Sequence, residues 1–322
     1  MKDGKLQIAV IGAWHVHAPD YAKVIQARSD CMLAWVWDDD RARGEAFAQE
    51  FSCTYSADYD ALLAKETLDA VIITSATCQH PELMKKAAKA KKHIFTEKVM
   101  ALTGAECREI MDSVQENGVK FSICFPWRCK PGVLAAKQIA DSGELGRIVY
   151  ARVHNAHNGA IAEWLPERFY NAQECGGGAM IDLGTHSMYI LRWLLGAPKK
   201  AVSIFTNVTG REVEDNAVTA IQFSGGAIGV AETGFVYTGD TFKMEINGTA
   251  GSLLVTDAGE TVRYNSEKTG GKWVTAEKLP NALPHPADQW VDAILHGGEI
   301  IFGLQEGLEL TEMMEIAYAG RA

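Results

Sequence analysis

The sequence predicts an α/β protein in which a doubly wound parallel sheet is followed by an α+β domain with a large, mainly antiparallel open sheet. In the first 125 residues, continuous apolar runs alternate with amphipathic segments, which is typical of parallel strands covered by helices on both faces. After residue 125 the apolar runs lengthen and short glycine turns separate them, which favours antiparallel pairing. A length of 322 residues suits two domains, and we expect them to span 1–125 and 126–322.

The first domain is predicted from β-branched runs that each precede an amphipathic segment. The expected strands are 6–11, 32–37, 70–74, 93–95 and 120–125, and the expected helices include 42–50, 59–63, 82–90 and 104–117. Right-handed crossovers between such strands give a doubly wound sheet, with ligands at the carboxyl ends of the strands.

The second domain is predicted to begin with a helix at 132–142 and a strand at 147–154. A helix at 178–195 interrupts a set of longer strands, and two helices, 286–296 and 304–319, follow. Gly225-Gly226 and Asn247-Gly248 are predicted as turns between antiparallel neighbours. The longer strands are expected at 202–208, 218–223, 227–233, 241–246 and 251–256.

Composition excludes several classes of function. A formal net charge of -10 repels phosphate backbones, so we expect no nucleic-acid partner, and it gives no attraction to an anionic membrane. No apolar run approaches the roughly 18–20 residues that a membrane-spanning helix needs. The seven cysteines are odd in number and form no C-x-x-C pair, which indicates free thiols, a reducing compartment and no zinc site. We therefore expect a cytoplasmic protein.

A phosphate-binding turn is predicted directly after the first strand. Free backbone N–H groups and a positive helix end would favour a phosphate there. Only the first glycine of a G-x-G-x-x-G pattern is present, so an ordinary strand–helix turn is the alternative. The residues assigned to this turn are Gly12, Ala13, Trp14, His15 and Val16.

Asp38 and Asp39 follow the second strand and are predicted to bind the adenosine ribose. A carboxylate there can accept hydrogen bonds from both ribose hydroxyls, whereas it would repel a 2′-phosphate. We therefore expect NAD in preference to NADP, although Arg41 or Arg43 could reach a phosphate. A solvated acidic helix N-terminus is the alternative interpretation.

The nicotinamide half of the cofactor is predicted to lie near Ser75, Ala76 and His80, which follow another central strand. Glu97 and Lys98 follow the next strand. Burial beside a cofactor would lower the pKa of a lysine, which suits Lys98 as a proton shuttle or as a donor to a substrate hydroxyl. Glu97 could tether the lysine or line the cofactor site. The alternative is a surface lysine in a loop.

Asp182 and His186 are predicted to complete the catalytic group. Their i, i+4 spacing places both on one face of a helix, where the carboxylate can hold the imidazole tautomer. The glycines at 176–178 would let the backbone approach a ligand. The alternative is an N-terminal carboxylate beside an unrelated helix histidine.

Substrate contacts are predicted from aromatic faces and charged donors, which suit polyols. His154 and His157 form an H-x-x-H pattern, but without a clear third ligand we expect no metal site. The residues assigned to the substrate pocket are Arg128, His154, Trp164, Arg168 and Tyr170, together with His186.

Taken in order, these motifs resemble those of the Gfo/Idh/MocA oxidoreductases, over essentially the whole chain. The matching stretches are Gly12, Asp38, 75–80, Glu97-Lys98, 142–148, 176–186 and 193–196. The resemblance implies a Rossmann-type dinucleotide-binding domain, an α/β domain with an open sheet, and pairing of subunits through that sheet into a homodimer or homotetramer. It implies an NAD(P)-dependent dehydrogenase of sugars or polyols, with Lys98, Asp182 and His186 on the family's usual catalytic positions.

Three departures from the family pattern suggest a divergent subgroup. The glycine loop is about three residues short if His17-Ala18 matches the family's His-Ala, so Trp14 or His15 could close over the pyrophosphate. Val99 replaces the proline that usually follows the lysine. Tyr189 replaces an acidic residue that often stands three positions after the histidine.

The sequence therefore predicts an NAD-dependent dehydrogenase that oxidises a secondary hydroxyl of a sugar, cyclitol or sugar derivative. Two alternatives remain open. One is an NAD-dependent glycosidase that uses transient oxidation and elimination. The other is a non-enzymatic NAD-binding sensor or regulator on the same fold.

Overall fold

The computed structural model describes residues 1–2 and 4–321, which fall into two compact units. The first unit comprises Met1–Cys124 and Pro284–Thr311, and the second comprises Phe125–Leu283 and Glu312–Ala322. The sequence-based division assigned everything after residue 125 to the second domain. The return of 284–311 to the first unit was not predicted, because no feature of that segment's own pattern specifies which unit it packs against.

The first unit is built on a six-stranded parallel sheet of order β3-β2-β1-β4-β5-β6. β1 and β4 are buried along their whole length, which explains their continuous apolar sequences. The doubly wound parallel sheet is confirmed, and the short edge strand β3 was missed. The strands are β1 Leu6–Ile11, β2 Cys31–Trp37, β3 Thr54–Ser56, β4 Ala70–Ile73, β5 His93–Thr96 and β6 Phe121–Ile123.

Helices connect these strands and begin at recognisable caps. Asp40 accepts a hydrogen bond from the amide of Arg43 at the start of α2, and Thr103 forms a capping box with Glu106 at the start of α5. Gly118, in the left-handed conformation, ends α5. The helices are α1 Ala18–Gln26, α2 Arg41–Glu50, α3 Tyr59–Leu63, α4 His80–Lys89 and α5 Gly104–Asn117.

The second unit is built on an eight-stranded mixed sheet of order β14-β13-β12-β11-β7-β10-β9-β8. All pairings are antiparallel except that of β10 with β7, so the mainly antiparallel sheet is confirmed. The strands are β7 Ile148–Ala156, β8 Pro198–Thr206, β9 Asn216–Phe223, β10 Ile228–Gly234, β11 Phe242–Gly248, β12 Gly251–Thr256, β13 Thr261–Ser266 and β14 Val274–Thr275.

Helices pack on one face of this sheet. The Cβ position of Gly229 lies 3.2 Å from Leu191, and Asn155 donates a hydrogen bond to the carbonyl of Leu183. The opposite face carries Val202 and Ile204, which are 56% and 59% exposed. The helices of the second unit are α6 Pro131–Asp141, α7 Ala172–Cys175, α8 Ala179–Asp182 and α9 Gly184–Leu195. Of the last two helices in the chain, α10 Pro286–His296 belongs to the first unit, and α11 Leu304–Ala319 belongs to the first unit up to Thr311 and to the second unit from Glu312.

Two local predictions for this unit were wrong. The helix expected at 178–195 is divided at Leu183, where the amide of His186 donates to the Leu183 carbonyl in an i→i−3 bond that tightens the chain. The turn expected at Asn247-Gly248 lies two residues later, because β11 continues through Gly248 and the amide of Ala250 bonds to Leu145. The Gly225-Gly226 turn is present between β9 and β10.

None of the helices among residues 1–2 and 4–321 is long and apolar enough to cross a membrane.

Candidate functional site

The first unit's candidate site lies at the carboxyl ends of β1 and β4, which are neighbours in the sheet. Gly12 has φ +83°, and a Cβ there would lie 2.5 Å from Ser75 Cα. The hydroxyl of Thr74 donates a hydrogen bond to the Gly12 carbonyl. Only glycine allows this approach. The strand order runs from β1 through β2 to β3 on one side and from β4 to β6 on the other, so the edge between β1 and β4 is the switch point at which doubly wound sheets bind ligands.

The short loop after Gly12 is held by its own hydrogen bonds. The amide of His15 donates to the Thr74 carbonyl at 2.9 Å, and the amide of His17 donates to His15 Nδ1 at 3.2 Å. Trp14 and His15 are 5% and 7% exposed, whereas Val16 is partly exposed. The loop therefore presents two large side chains where longer loops of this kind present glycine backbone.

Asp38 and Asp39 lie at the carboxyl end of β2 in different environments. The buried Asp38 carboxylate accepts the amide of Ala13 at 2.6 Å and a two-pronged interaction from Arg43 at 2.6 and 2.9 Å. Asp39 is 46% exposed and accepts from Gln79 and from Arg43. Arg43 thus forms ion pairs with both carboxylates, and of the two, Asp39 is the one that faces solvent.

These features fit a dinucleotide without a 2′-phosphate. The carboxyl edge of the sheet, the close approach at Gly12 and the exposed carboxylate of Asp39 are the features expected of a phosphate turn and a ribose acceptor, and these two roles stay predictions. Arg41, the other cation considered for a phosphate, pairs with Glu45 at 2.7 Å. Ala76 and Ser75 are buried at the end of β4 beside this turn.

Glu97 is the centre of a buried network after β5. It is 3% exposed and accepts hydrogen bonds from the Tyr21 hydroxyl and from the amide of Lys98. Burial alone would raise the pKa of Glu97, but the nearby His15, Lys98 and His17 and the Tyr21 hydroxyl together lower that pKa to about 2. Glu97 is therefore an ionised carboxylate held in place.

His15, His17 and Glu97 form a cluster of side chains of the types that bind metal ions. Ligand atoms of His15, His17 and Glu97 lie within 4.8 Å of one another. Each carboxylate oxygen of Glu97 already accepts a hydrogen bond, as does Nδ1 of His15. These residues therefore form a hydrogen-bonded network around Glu97.

The lowered pKa of Glu97 predicts a specific pH dependence of stability. Because its folded-state pKa lies below its ordinary value of 4.5, ionised Glu97 stabilises the fold above pH 4.5, and this contribution is lost as the pH falls towards 2. We expect Glu97→Gln to lower the free energy of unfolding at neutral pH and the difference from the parent to shrink on acidification. Denaturant unfolding between pH 7 and 2.5 measures this. A difference that stays constant across that range would contradict the assignment.

Lys98 is 6% exposed and lies one residue beyond Glu97. The Lys98–Val99 peptide bond is cis. The His80 side chain is 1% exposed, with Nδ1 2.9 Å from the carbonyl of Val99 and Nε2 3.3 Å from the carbonyl of Ser75, and a neutral ring donates to one of these two carbonyls. Burial lowers the pKa of His80. His80 therefore ties the segment after Lys98 to the end of β4, and its predicted cofactor contact stays a prediction.

The second unit's candidate site begins at the glycine run before α8. Glu214 Oε1 accepts the amides of Gly178 and Met180 at 3.0 and 3.1 Å and the hydroxyl of Tyr318 at 2.6 Å. A Cβ on Gly177 would lie 2.0 Å from Tyr318 Oη, and one on Gly178 would lie 2.0 Å from the Glu214 carbonyl oxygen. The glycines thus make room for protein atoms of this unit. Glu214 and Tyr318 were missed because they lie far away in sequence.

Removing the Glu214 carboxylate should destabilise this loop. Glu214→Ala leaves two amides and one hydroxyl without their acceptor, so we expect the free energy of unfolding to fall by about 2–3 kcal/mol. Tyr318→Phe removes a single donor and should cost about 1 kcal/mol. Denaturant titration measures both, with exposed Glu277→Ala as the control. Equal stabilities for the Glu214 and Glu277 variants would contradict the bracing role.

Asp182 and His186 lie on either side of the helix junction at Leu183. His186 is 6% exposed, and its Nδ1 lies 3.0 Å from the hydroxyl of Tyr189. The same hydroxyl accepts the amide of Trp127 at 3.1 Å. The structure therefore brings His186 together with Tyr189, the residue at which the sequence departs from the family pattern.

The predicted substrate residues occupy different places in the second unit. The Arg128 guanidinium lies 4.5 Å from the Trp193 ring centroid. Tyr170 is 4% exposed, and its hydroxyl has no hydrogen-bond partner among the described residues. Trp164 is 51% exposed and lies 4.5 Å from the ring of His157. These assignments stay predictions.

His154 lies on a different face of the sheet from His186. Asn155 on β7 points to α8 and α9, so its neighbour His154 points to the opposite face, where it lies 3.6 Å from Glu232. Arg152 on that face also contacts Glu232, at 3.5 Å. The structure therefore does not bring His154 together with His186.

Comparisons with known proteins agree with the two-part fold of the chain. Residues 6–125 match the family model described as "Oxidoreductase family, NAD-binding Rossmann fold", and residues 133–254 match the "GFO/IDH/MocA C-terminal domain". The chain is 30% identical to scyllo-inositol 2-dehydrogenase (NAD(+)) of Bacillus subtilis (strain 168), over 78% of this chain and 74% of that protein.

Two further similarities extend the comparison. The chain is 25% identical to 2,7-anhydro-N-acetylneuraminate hydratase of Mediterraneibacter gnavus, over 81% of this chain and 70% of that protein. The crystal structure of GenD2 from gentamicin A biosynthesis, in complex with NAD, superposes with a TM-score of 0.82 at 25% identity, covering 98% of this chain and 94% of that one. The chain belongs to the Gfo/Idh/MocA family of oxidoreductases, and its first domain is an NAD-binding Rossmann domain.

Proposed function

We propose that the protein is an NAD-dependent dehydrogenase that oxidises a secondary hydroxyl of a sugar, cyclitol or sugar derivative. The observation that carries this proposal is Lys98, a buried lysine directly after Glu97 at the carboxyl end of β5, on the edge where this fold binds its dinucleotide. The relative named scyllo-inositol 2-dehydrogenase (NAD(+)) supports a cyclitol or related polyol as the substrate class.

The roles of the residues follow from their chemistry. NAD, when bound, supplies the acceptor for the hydride of the carbinol carbon. Lys98 and His186 are the groups proposed to hold or receive the hydroxyl proton, and Asp182 supplies a carboxylate four residues before His186 in the sequence. The buried Tyr170 hydroxyl, which lacks a partner among the described residues, would gain one from a substrate hydroxyl.

The residues proposed for the cofactor are those at the carboxyl edge of the first sheet. The short loop of Gly12, Ala13, Trp14, His15 and Val16 would hold the pyrophosphate, with buried aromatic rings in place of glycine backbone. Asp39, rather than the enclosed carboxylate of Asp38, is the more accessible acceptor for ribose hydroxyls. The remaining proposed contacts are Ser75, Ala76, His80, Glu97 and Lys98.

A screen for hydride transfer tests the proposal. The purified protein is incubated with NAD and a panel of cyclitols, sugars and sugar acids, and NADH is followed by its absorbance. A substrate found in this way is then prepared with deuterium at the reacting carbon, and we expect the label in the reduced cofactor. Reduction without transfer of that label would contradict hydride transfer from the carbinol carbon.

A second candidate is a reaction with no net oxidation, in which a glycoside is oxidised transiently and its aglycone eliminated. The similarity to a protein named as a hydratase supports this second candidate, because hydration involves no net redox change. Release of free sugar from a glycoside, without consumption of NAD, would support it. A non-enzymatic sensor would show cofactor binding but neither reaction.

We also propose a cytoplasmic homodimer or homotetramer assembled through the uncovered sheet face. Val202, Ile204 and Ile228 expose apolar side chains there, beside the charged group formed by Arg152 and Glu232. Such a patch is typical of an interface. Light scattering tests the oligomer, and Ile204→Glu should dissociate it while Met32→Glu, at an exposed position in the first unit, should not. A monomeric parent would overturn this proposal.

A further inference from the structure

Tyr189 is held rigidly beside His186. Its side chain is 2% exposed, and its ring stacks on Phe125 with centroids 4.2 Å apart and an interplanar angle of 15°. Its hydroxyl oxygen accepts the amide of Trp127 at 3.1 Å. These contacts place the hydroxyl 3.0 Å from His186 Nδ1, with the two rings edge to face.

The chemistry of the two groups decides which of them donates in that hydrogen bond. A phenol O–H is far more acidic than the N–H of a neutral imidazole, and the bare imidazole nitrogen is a stronger acceptor than a phenol oxygen. Tyr189 is therefore the better donor and His186 Nδ1 the better acceptor. A neutral imidazole that accepts at Nδ1 carries its proton on Nε2.

We propose that Tyr189 fixes His186 in the tautomer protonated on Nε2, so that His186 donates a hydrogen bond to the substrate oxygen and Lys98 is the base. This inference rests on the proposed function. In the oxidation, the neutral amine of Lys98 takes the hydroxyl proton while the C–H bond breaks and its electron pair leaves as hydride to oxidised NAD. The carbon–oxygen bond becomes a carbonyl, and its oxygen accepts the Nε2–H of His186.

A carboxylate at position 189 would reverse this assignment. Because an ionised carboxylate only accepts hydrogen bonds, it would require a proton on Nδ1 and leave the Nε2 lone pair to act as a base. Tyr189 is thus a positioning residue that decides between two roles for the same histidine. The substitution Tyr189→Glu should convert one role into the other.

Nitrogen chemical shifts of the His186 ring test the tautomer without any assay of activity. The protein is labelled with ¹⁵N-histidine, and His186→Gln identifies the His186 signals by their loss. We expect a bare Nδ1 and a protonated Nε2 in the parent at a pH where the ring is neutral, and the reverse in Tyr189→Glu. Protonation of the His186 ring on Nδ1 in the parent would overturn the proposal. The same His186 tautomer in the parent and in Tyr189→Glu would also overturn it.

Turnover of a substrate found in the hydride-transfer screen tests the resulting role. His186→Gln keeps an N–H donor at a position similar to Nε2, so it should retain turnover within about tenfold of the parent, whereas His186→Ala should lose about 10². An equal loss of turnover in His186→Gln and His186→Ala would identify His186 as the base and overturn the assignment of that role to Lys98. Tyr189→Phe, which keeps the stacked ring, should lower turnover about five- to tenfold, and Tyr264→Phe should not.

The two experiments separate this inference from the proposed function. If no substrate is oxidised, the proposed function fails, while the nitrogen shifts still report the tautomer. If a substrate is oxidised and Nδ1 is protonated in the parent, the dehydrogenase proposal stands and the role of Tyr189 falls.

Discussion

Replacing Lys98 by alanine is expected to lower turnover by about 10² or more while leaving NADH affinity within about threefold of the parent. Lys98 is 6% exposed and lies directly beyond the ionised Glu97, so its side chain is largely shielded from water. A group that acts only on the substrate proton changes the barrier to chemistry without contributing to nucleotide affinity. Steady-state kinetics and fluorescence titration with NADH measure the two quantities.

The matched control for this variant is Lys92→Ala. Lys92 is also buried, at 8% exposed, and its amine donates to the carbonyls of Lys65 and Leu68. Its removal should lower stability, because two carbonyls lose their donor, but turnover of the folded fraction should not change. Unchanged turnover in the Lys98 variant, or equal loss in both variants, would contradict the role of Lys98 in proton transfer.

Substituting Gly12 by alanine is expected to lower NADH affinity at least tenfold and to destabilise the protein by about 2–5 kcal/mol. The added Cβ would lie 2.5 Å from Ser75 Cα, so the ends of β1 and β4 must separate at the edge proposed to hold the cofactor. The positive φ of Gly12 adds backbone strain for alanine. Thermal unfolding and NADH titration report the two effects.

Gly118→Ala separates steric crowding from backbone strain. Gly118 also has a positive φ, but among the described residues, apart from its own neighbours in the chain, no atom lies within 4 Å of its Cβ position. This variant should therefore lose only about 1–2 kcal/mol of stability and no NADH affinity. Equal NADH affinity in the two variants would mean that the close approach at Gly12 has no part in holding the nucleotide.

The general architecture was predictable from the sequence because it depends on local patterns. β1 and β4 are buried throughout and have continuous apolar sequences, and the longer strands after residue 125 pair mainly antiparallel as their turns predicted. The short edge strands β3 and β14 were missed, since two or three residues carry no detectable periodicity, and the six-residue strand β13 was missed as well. The return of 284–311 to the first unit is a tertiary preference that no local pattern specifies.

The sequence singles out the chemical groups of the candidate site, whose roles stay predictions, but it does not indicate their partners in the fold. Lys98, Asp182 and His186 stood out because their residue types and positions at strand or helix ends are unusual. Glu214 contacts the glycine run from more than thirty residues away, and Tyr318 from still further along the chain, so neither had a sequence signal. The glycines at 177 and 178 were attributed to a close ligand, whereas the structure shows Tyr318 and Glu214 in that space.

The most direct test of the account is a fluorescence titration of the purified protein, shown beforehand to carry no bound nucleotide, with NADH and separately with NADPH. We expect tight binding of NADH and weak binding of NADPH, because the exposed Asp39 carboxylate repels a 2′-phosphate and Arg43 is already paired with Asp38 and Asp39. Binding of neither nucleotide to the folded protein would contradict the dehydrogenase proposal. Tighter binding of NADPH would contradict the assignment of Asp39.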